Sequence, residues 1–282
     1  MSTVAILGAG TLGGALAHCL AGRDCVGAIR LIDTPPGVAG GKALDINQAG
    51  PVEGFDTRVT ATEHVDAVIG ADVVVLTGPA DAPENDWEGD AARGVLTQVV
   101  SLNRRAPIVC AGASHASVIA LAVEQLGLDR TRIMGTAPAA LVSALRALIA
   151  LEANASPTEV VVNLVGMPPS HPVVPWSSAT IGGYPLEDRL STQQRARLVR
   201  CLGRLWPPGP YTLASAAVQV VTAMMTGRSR RVFACFVGGE RRGSGGVQSA
   251  GVTVDSNGVE AVLAPRLSRL EQVQLDNAVG SG

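Results

Sequence analysis

The chain has 282 residues, 47% of them hydrophobic and only 16% charged, with a formal net charge of −2. That balance describes a packed globular protein rather than a disordered one, and its scattered cations leave no basic patch for nucleic acid or an anionic membrane surface. No uninterrupted apolar run reaches the ~18 residues of a membrane span, and the first residues lack the charged-then-apolar layout of a signal peptide.

In chain order, β-branched runs at residues 3–7, 28–32, 58–62, 72–77, 107–111 and 132–134 are predicted strands. Alanine- and leucine-rich stretches such as 12–20 and 117–126 lie between them as predicted helices. Near-continuous apolar strands alternating with helices indicate a parallel sheet covered on both faces.

Beyond a predicted helix at 138–151, the second half changes character. A strand is expected at 159–166, a proline-dense loop at 167–175 and a helix at 192–205. After the break Trp206-Pro207-Pro208-Gly209-Pro210 come a helix at 214–226 and strands at 232–237, 252–255 and 259–263. Asn257-Gly258 between two apolar runs is a hairpin signal. The expected fold class is therefore α/β: a Rossmann-type doubly wound sheet over residues 1–140, then a mixed α+β substrate and dimerisation domain over 141–282.

The five cysteines, Cys19, Cys25, Cys110, Cys201 and Cys235, show no paired spacing. They read as reduced thiols of a cytoplasmic protein, and no metal site is expected.

The chain opens Val4-Ala5-Ile6-Leu7-Gly8-Ala9-Gly10-Thr11-Leu12-Gly13-Gly14. Gly8, Gly10 and Gly13 form GxGxxG between a strand and a helix, the arrangement that seats a pyrophosphate on a helix N-terminus. Asp33 closes the next strand, where a carboxylate accepts the ribose hydroxyls and repels a 2′-phosphate. NAD is thus the expected cofactor, held by Gly8, Gly10, Thr11, Leu12, Gly13 and Asp33, with Thr77 and Gly78 after the fourth strand as a second loop over it.

These segments, with Gly41-Lys42-Ala43-Leu44-Asp45-Ile46, Pro51-Val52-Glu53-Gly54-Phe55-Asp56 and Val174-Pro175, resemble the lactate/malate dehydrogenase family, in particular its malate dehydrogenase branch. The resemblance implies NAD-dependent hydride transfer and, through the helix containing residues 41–46, a homodimer or homotetramer. It also implies a histidine–aspartate pair for the proton and arginines for the substrate carboxylate. Aligned with that pattern, Leu141 stands at the aspartate and Ala144 at the carboxylate-binding arginine, while Arg146 falls on another helix face. A proline replaces the histidine, and the acidic segment 81–90 carries no arginine.

Two histidines remain as candidate catalytic groups: His171, a few residues after the replaced histidine, and His115, after the fifth strand. The expectation is an oxidoreductase whose substrate, unknown, lacks the usual 2-oxoacid carboxylate anchor. The alternative is a catalytically inactive NAD-binding protein acting as a sensor or partner subunit.

Overall fold

The computed structural model describes residues 2–34, 37–80, 87, 89–227, 231–239 and 246–280. Most of the acidic segment 81–90 lies outside them. Among the described residues, no helix is long and apolar enough to cross a membrane.

The first half alternates strand and helix: β1 (Thr3–Leu7), α1 (Thr11–Ala21), β2 (Ala28–Ile32), α2 (Val38–Glu53), β3 (Arg58–Thr62), β4 (Val73–Leu76), α3 (Gly89–Leu102), β5 (Ile108–Cys110), α4 (Ala116–Ala120), β6 (Ile133–Gly135) and α5 (Ala137–Ala153). These strands form a parallel sheet in the order β3-β2-β1-β4-β5-β6. Alternation along β1 explains the two layers. Val4 and Ile6 join one core cluster with Leu16, Leu20, Ile29 and Leu31. Ala5 and Leu7 face the other, with Leu96, Ile108 and Ile119. Buried residues Leu16, Ala17, Leu20 and Ala21 recur at helical spacing along α1 and lay one face of it on the sheet.

The second half contributes β7 (Val160–Val161), β8 (Val165–Met167), β9 (His171–Val173), β10 (Thr180–Ile181), β11 (Tyr184–Pro185), α6 (Thr192–Leu202), α7 (Pro210–Thr226), β12 (Phe233–Val237), β13 (Gln248–Asp255), β14 (Gly258–Leu263) and α8 (Arg269–Gly280). β12 pairs antiparallel with β6, and β13, β8 and β9 extend the same sheet, with β14 on β13. A separate small sheet joins β11, β10 and β7. The result is a Rossmann-type parallel sheet carried into a second, mixed α+β part. Residue 140, the expected boundary, falls inside α5, so the two parts share both a helix and a sheet.

Three local expectations change. The strand predicted at 159–166 is divided: Val161 pairs with Thr180 in the small sheet, whereas Gly166 pairs with Ser249 in the large one. The proline-dense segment folds as the β8–β9 hairpin, with Pro172 opposite Gly166 on the terminal strand, where a missing N–H costs no ladder bond. Helix α7 starts at Pro210 rather than 214, because a proline at the first helical position gives up an N–H that the helix leaves unpaired anyway. The Asn257-Gly258 turn joins β13 to β14 as predicted.

Candidate functional site

In this strand order the chain moves outward from β1 to β3, then returns to the other side of β1 to lay down β4. The strand order therefore reverses between β1 and β4, whose carboxyl ends flank the position of the crevice in which ligands bind in doubly wound sheets. Gly8 leaves β1 with φ +107°, and a Cβ there would stand 2.1 Å from the Gly78 carbonyl oxygen and 2.6 Å from Thr77 Oγ1. At Gly13 a Cβ would stand 1.9 Å from the Gly8 carbonyl oxygen. Glycine at both positions is therefore a steric requirement of the turn.

Thr77 is fully buried, with its hydroxyl 2.9 Å from the Leu7 carbonyl oxygen and 2.8 Å from that of Gly8. Its side chain fastens the end of β4 to the glycine loop, and Gly78 packs against Gly8. Asp33, only 6% exposed, accepts hydrogen bonds from the Ala9 N–H and, at 2.9 Å, from the Ala80 N–H. One carboxylate thus holds both loops of the crevice. Beyond Asp33 lies a cleft of about 340 Å³ lined by residues including Gly37, Thr62 and His64.

Helix α1 begins at Thr11 with no side-chain cap and no acidic residue in its first turn. A helix N-terminus left in that state presents N–H groups and a positive dipole end to an anion. The glycine cradle, the exposed start of α1 and the carboxylate at the end of β2 fit the diphosphate and ribose of a dinucleotide.

Lys42 enters from α2 and donates to the carbonyls of Ala9 and, at 2.6 Å, Gly10. Burial pulls its pKa below the usual lysine value, while the nearby Asp33 carboxylate acts the other way. The sequence reading gave it no role of its own. The signal available was that Lys42 is the only lysine in the chain.

On the substrate side the candidates separate. His115 stands just before α4 and is fully buried, its Nδ1 accepting the Gly112 N–H at 3.1 Å rather than capping the helix. It fixes the loop after β5 beneath the surface. His171 is exposed at the start of β9 and lines a cavity of about 790 Å³ with Trp176, Glu187, Arg195 and Glu271. None of the expected cofactor residues lines that cavity, so the structure does not bring His171, His115 and the glycine cradle into one cluster. Leu141 is fully buried in an apolar cluster with Leu145, Ile149 and Val174. The Arg146 guanidinium is spent on the Pro157 and Thr158 carbonyls, the first at 2.9 Å.

Comparison with known proteins agrees with this geometry. Residues 2–85 match the family described as lactate/malate dehydrogenase, NAD binding domain. Over 254 residues, 84% of this chain and 82% of the relative, the sequence is 29% identical to malate dehydrogenase from Roseiflexus sp. (strain RS-1). Malate dehydrogenase from Salinibacter ruber superposes with a TM-score of 0.88 at 24% identity, over 99% of this chain and 94% of that one. A lactate dehydrogenase from Cryptosporidium parvum, solved with lactic acid and nicotinamide adenine dinucleotide, superposes with a TM-score of 0.87 at 23% identity, over 99% and 95%. At these identities the structural matches speak for the fold.

Proposed function

We propose that this chain, whose residues 2–85 match the NAD-binding domain of the lactate/malate dehydrogenase family, is a member of that family and an NAD-dependent oxidoreductase. It moves a hydride between the nicotinamide ring and the carbon of a small hydroxyl–carbonyl substrate. The observation that carries this reading is the crevice at β1 and β4: a turn that admits only glycine at residues 8 and 13, an uncapped helix start behind it, and a buried carboxylate where the adenosine ribose arrives. That carboxylate disfavours a 2′-phosphate, so NAD is preferred over NADP.

The named relatives make 2-hydroxyacids such as malate and lactate the first substrates to test. Our reading of the second half points to a substrate without their carboxylate anchor. Leu141 sits in an apolar cluster, and Arg146 is committed to backbone carbonyls on a surface turn. A carboxylate left without a charge-assisted partner forfeits ~1.5–3 kcal/mol per missing bond. A second reading, NAD binding without turnover, is favoured by the complete burial of His115, which leaves that histidine no open path to a substrate.

The test is calorimetry with NAD⁺ and NADP⁺ followed by an NADH-oxidation screen. The screen takes oxaloacetate, pyruvate, and neutral and cationic carbonyl compounds. Binding of NAD⁺ well ahead of NADP⁺, with turnover of a carbonyl lacking a carboxylate, is the expected result. Silence across the screen in a protein that binds NAD⁺ selects the second reading, whereas fast reduction of oxaloacetate or pyruvate overturns the altered substrate. Absence of any heat with NAD⁺ sinks the function altogether.

We also propose assembly as a homodimer or homotetramer through α2, which exposes Leu44 at 60% and Val52 at 87% of their surfaces.

A further inference from the structure

We infer that Lys42 is a positioning residue for the diphosphate, acting through the backbone of the glycine loop rather than as a capping side chain of α2. The inference rests on the dinucleotide reading of the crevice and adds to it the residue that orients the loop's donors.

The geometry follows from the planarity of the peptide group. Lys42 Nζ draws the carbonyls of Ala9 and Gly10 toward itself, the second at 2.6 Å. The only cis peptides among the described residues precede Pro169 and Pro207, so both loop peptides are trans. In a trans peptide the C=O and N–H point in opposite directions. The ammonium therefore turns the N–H groups of Gly10 and Thr11 away from α2, which aims them out of the loop.

The other polar groups of the turn are already committed. The Ala9 N–H goes to Asp33, the Gly8 carbonyl to the Thr77 hydroxyl, and the Gly8 N–H to the Ile32 carbonyl at 2.8 Å. The N–H groups of Gly10 and Thr11, which Lys42 has oriented, remain as donors beside those of Leu12 and Gly13 at the uncapped start of α1. A cation hydrogen-bonded to the oxygen of a peptide also polarises that peptide and strengthens the donor at its other end.

Two features favour a ligand role over a packing role. First, the ammonium lies at the N-terminus of α1, the positive end of its dipole, where a cation is destabilising. No acidic residue in the first turn of α1 compensates it, and the nearby Asp33 carboxylate offsets only part of the cost of burying the charge. A bound diphosphate would resolve that conflict, and local conflicts of this kind concentrate at functional sites. Second, in a chain that otherwise uses arginine throughout, this position alone has lysine. A Cβ on Gly14 would stand 2.9 Å from Lys42 Cδ and 3.2 Å from Nζ, so the side chain runs tightly over α1. A compact ammonium on a thin stem fits that channel, whereas a planar guanidinium is wider and its fork does not suit two successive carbonyls.

The test compares NAD⁺, ADP and adenosine by calorimetry on the full chain, with thermal melting alongside. Lys42→Met is expected to weaken NAD⁺ and ADP by about tenfold or more, the worth of one charge-assisted contact, and adenosine by less than about twofold. Its melting temperature should stay near that of the parent. Gly14→Ala, which favours the helix but displaces the lysine stem, should reproduce the loss for NAD⁺ and ADP. Lys42→Arg should recover part of the affinity through its charge. If Lys42→Met binds NAD⁺ and ADP as the parent does, or loses adenosine as heavily as ADP, the inference is overturned. If the parent protein binds neither NAD⁺ nor ADP, the dinucleotide reading itself fails, and this inference with it.

Discussion

The Asp33 carboxylate accepts the N–H of Ala80 at 2.9 Å, joining residues 47 apart in the chain. The same oxygen takes the Ala9 N–H, so the acid we assign to the ribose also pins the glycine loop to the segment after β4. Asp33→Asn keeps one acceptor oxygen and removes the charge. It should weaken NAD⁺ binding by tenfold or more and lower unfolding stability by ~1–3 kcal/mol. Calorimetry and chemical denaturation separate the two effects, and a variant that binds NAD⁺ like the parent would remove Asp33 from the site.

Gly13→Ala puts a methyl carbon 1.9 Å from the Gly8 carbonyl oxygen, backbone against backbone, with no flexible side chain to yield. The loop must open for it to fit. NAD⁺ binding should be abolished in a protein that still folds, as checked by circular dichroism and calorimetry. Gly54→Ala offers a contrast: that residue is left-handed with φ +80°, yet nothing lies within 4 Å of its Cβ position. Strain alone should cost it about 1 kcal/mol with no effect on NAD⁺ binding.

Glu271 fastens α8 to the loop after β9. Burial alone would raise its pKa, but the hydroxyl and N–H of Ser177 and those of Ser268 outweigh burial and hold it below the ordinary carboxylate value. A carboxylate depressed in the folded state contributes stability above its unfolded pKa of ~4.3 and loses it as pH falls through the depressed value. Acid unfolding of the parent should therefore steepen below about pH 4.3, and Glu271→Gln should flatten that limb. At neutral pH the variant should lose ~1–3 kcal/mol. An unchanged acid limb in Glu271→Gln would show that the helix is held by other contacts.

The buried thiols should be inert in the native protein. Cys235 is fully buried on β12, and its pKa is pushed up to about 12 by desolvation. Cys110 is equally buried on β5. Since the thiolate is the nucleophile, a disulfide reagent at pH 8 should leave both unmodified until the protein is denatured, while the partly exposed Cys19, Cys25 and Cys201 react first. Peptide mapping after a short exposure decides it.

Leu44→Glu places a charge on the exposed face of α2 that we assign to subunit contact. Sedimentation velocity should show a dimer or tetramer for the parent and a monomer for the variant. A monomeric parent would dispose of the assembly proposal.

Much of the parallel sheet was legible because its signals are local. Apolar runs of strand length, helical repeats between them, and GxGxxG followed by Asp33 each lie within about thirty residues of chain. The predicted strands at 3–7, 28–32 and 58–62 match β1, β2 and β3. Other features depended on which distant segments meet. The run from 159 to 166 divides because its two ends find different partner strands, which no periodicity within the run records. Helix α8 was missed because, among its residues with described side chains, only Glu271 and Ala278 are buried, so its apolar stripe is nearly absent.

By itself, the sequence determined that a tight glycine turn joins the first strand to the first helix, because the contact between Gly13 and the Gly8 carbonyl lies within that turn. Only the tertiary structure decided that Thr77 closes the loop from 69 residues away, that Lys42 orients its peptides from 32, and that His115 is buried while His171 is exposed. Hydrogen bonds and burial depend on distances in space between segments far apart in the chain, and residue spacing along the chain carries no record of them.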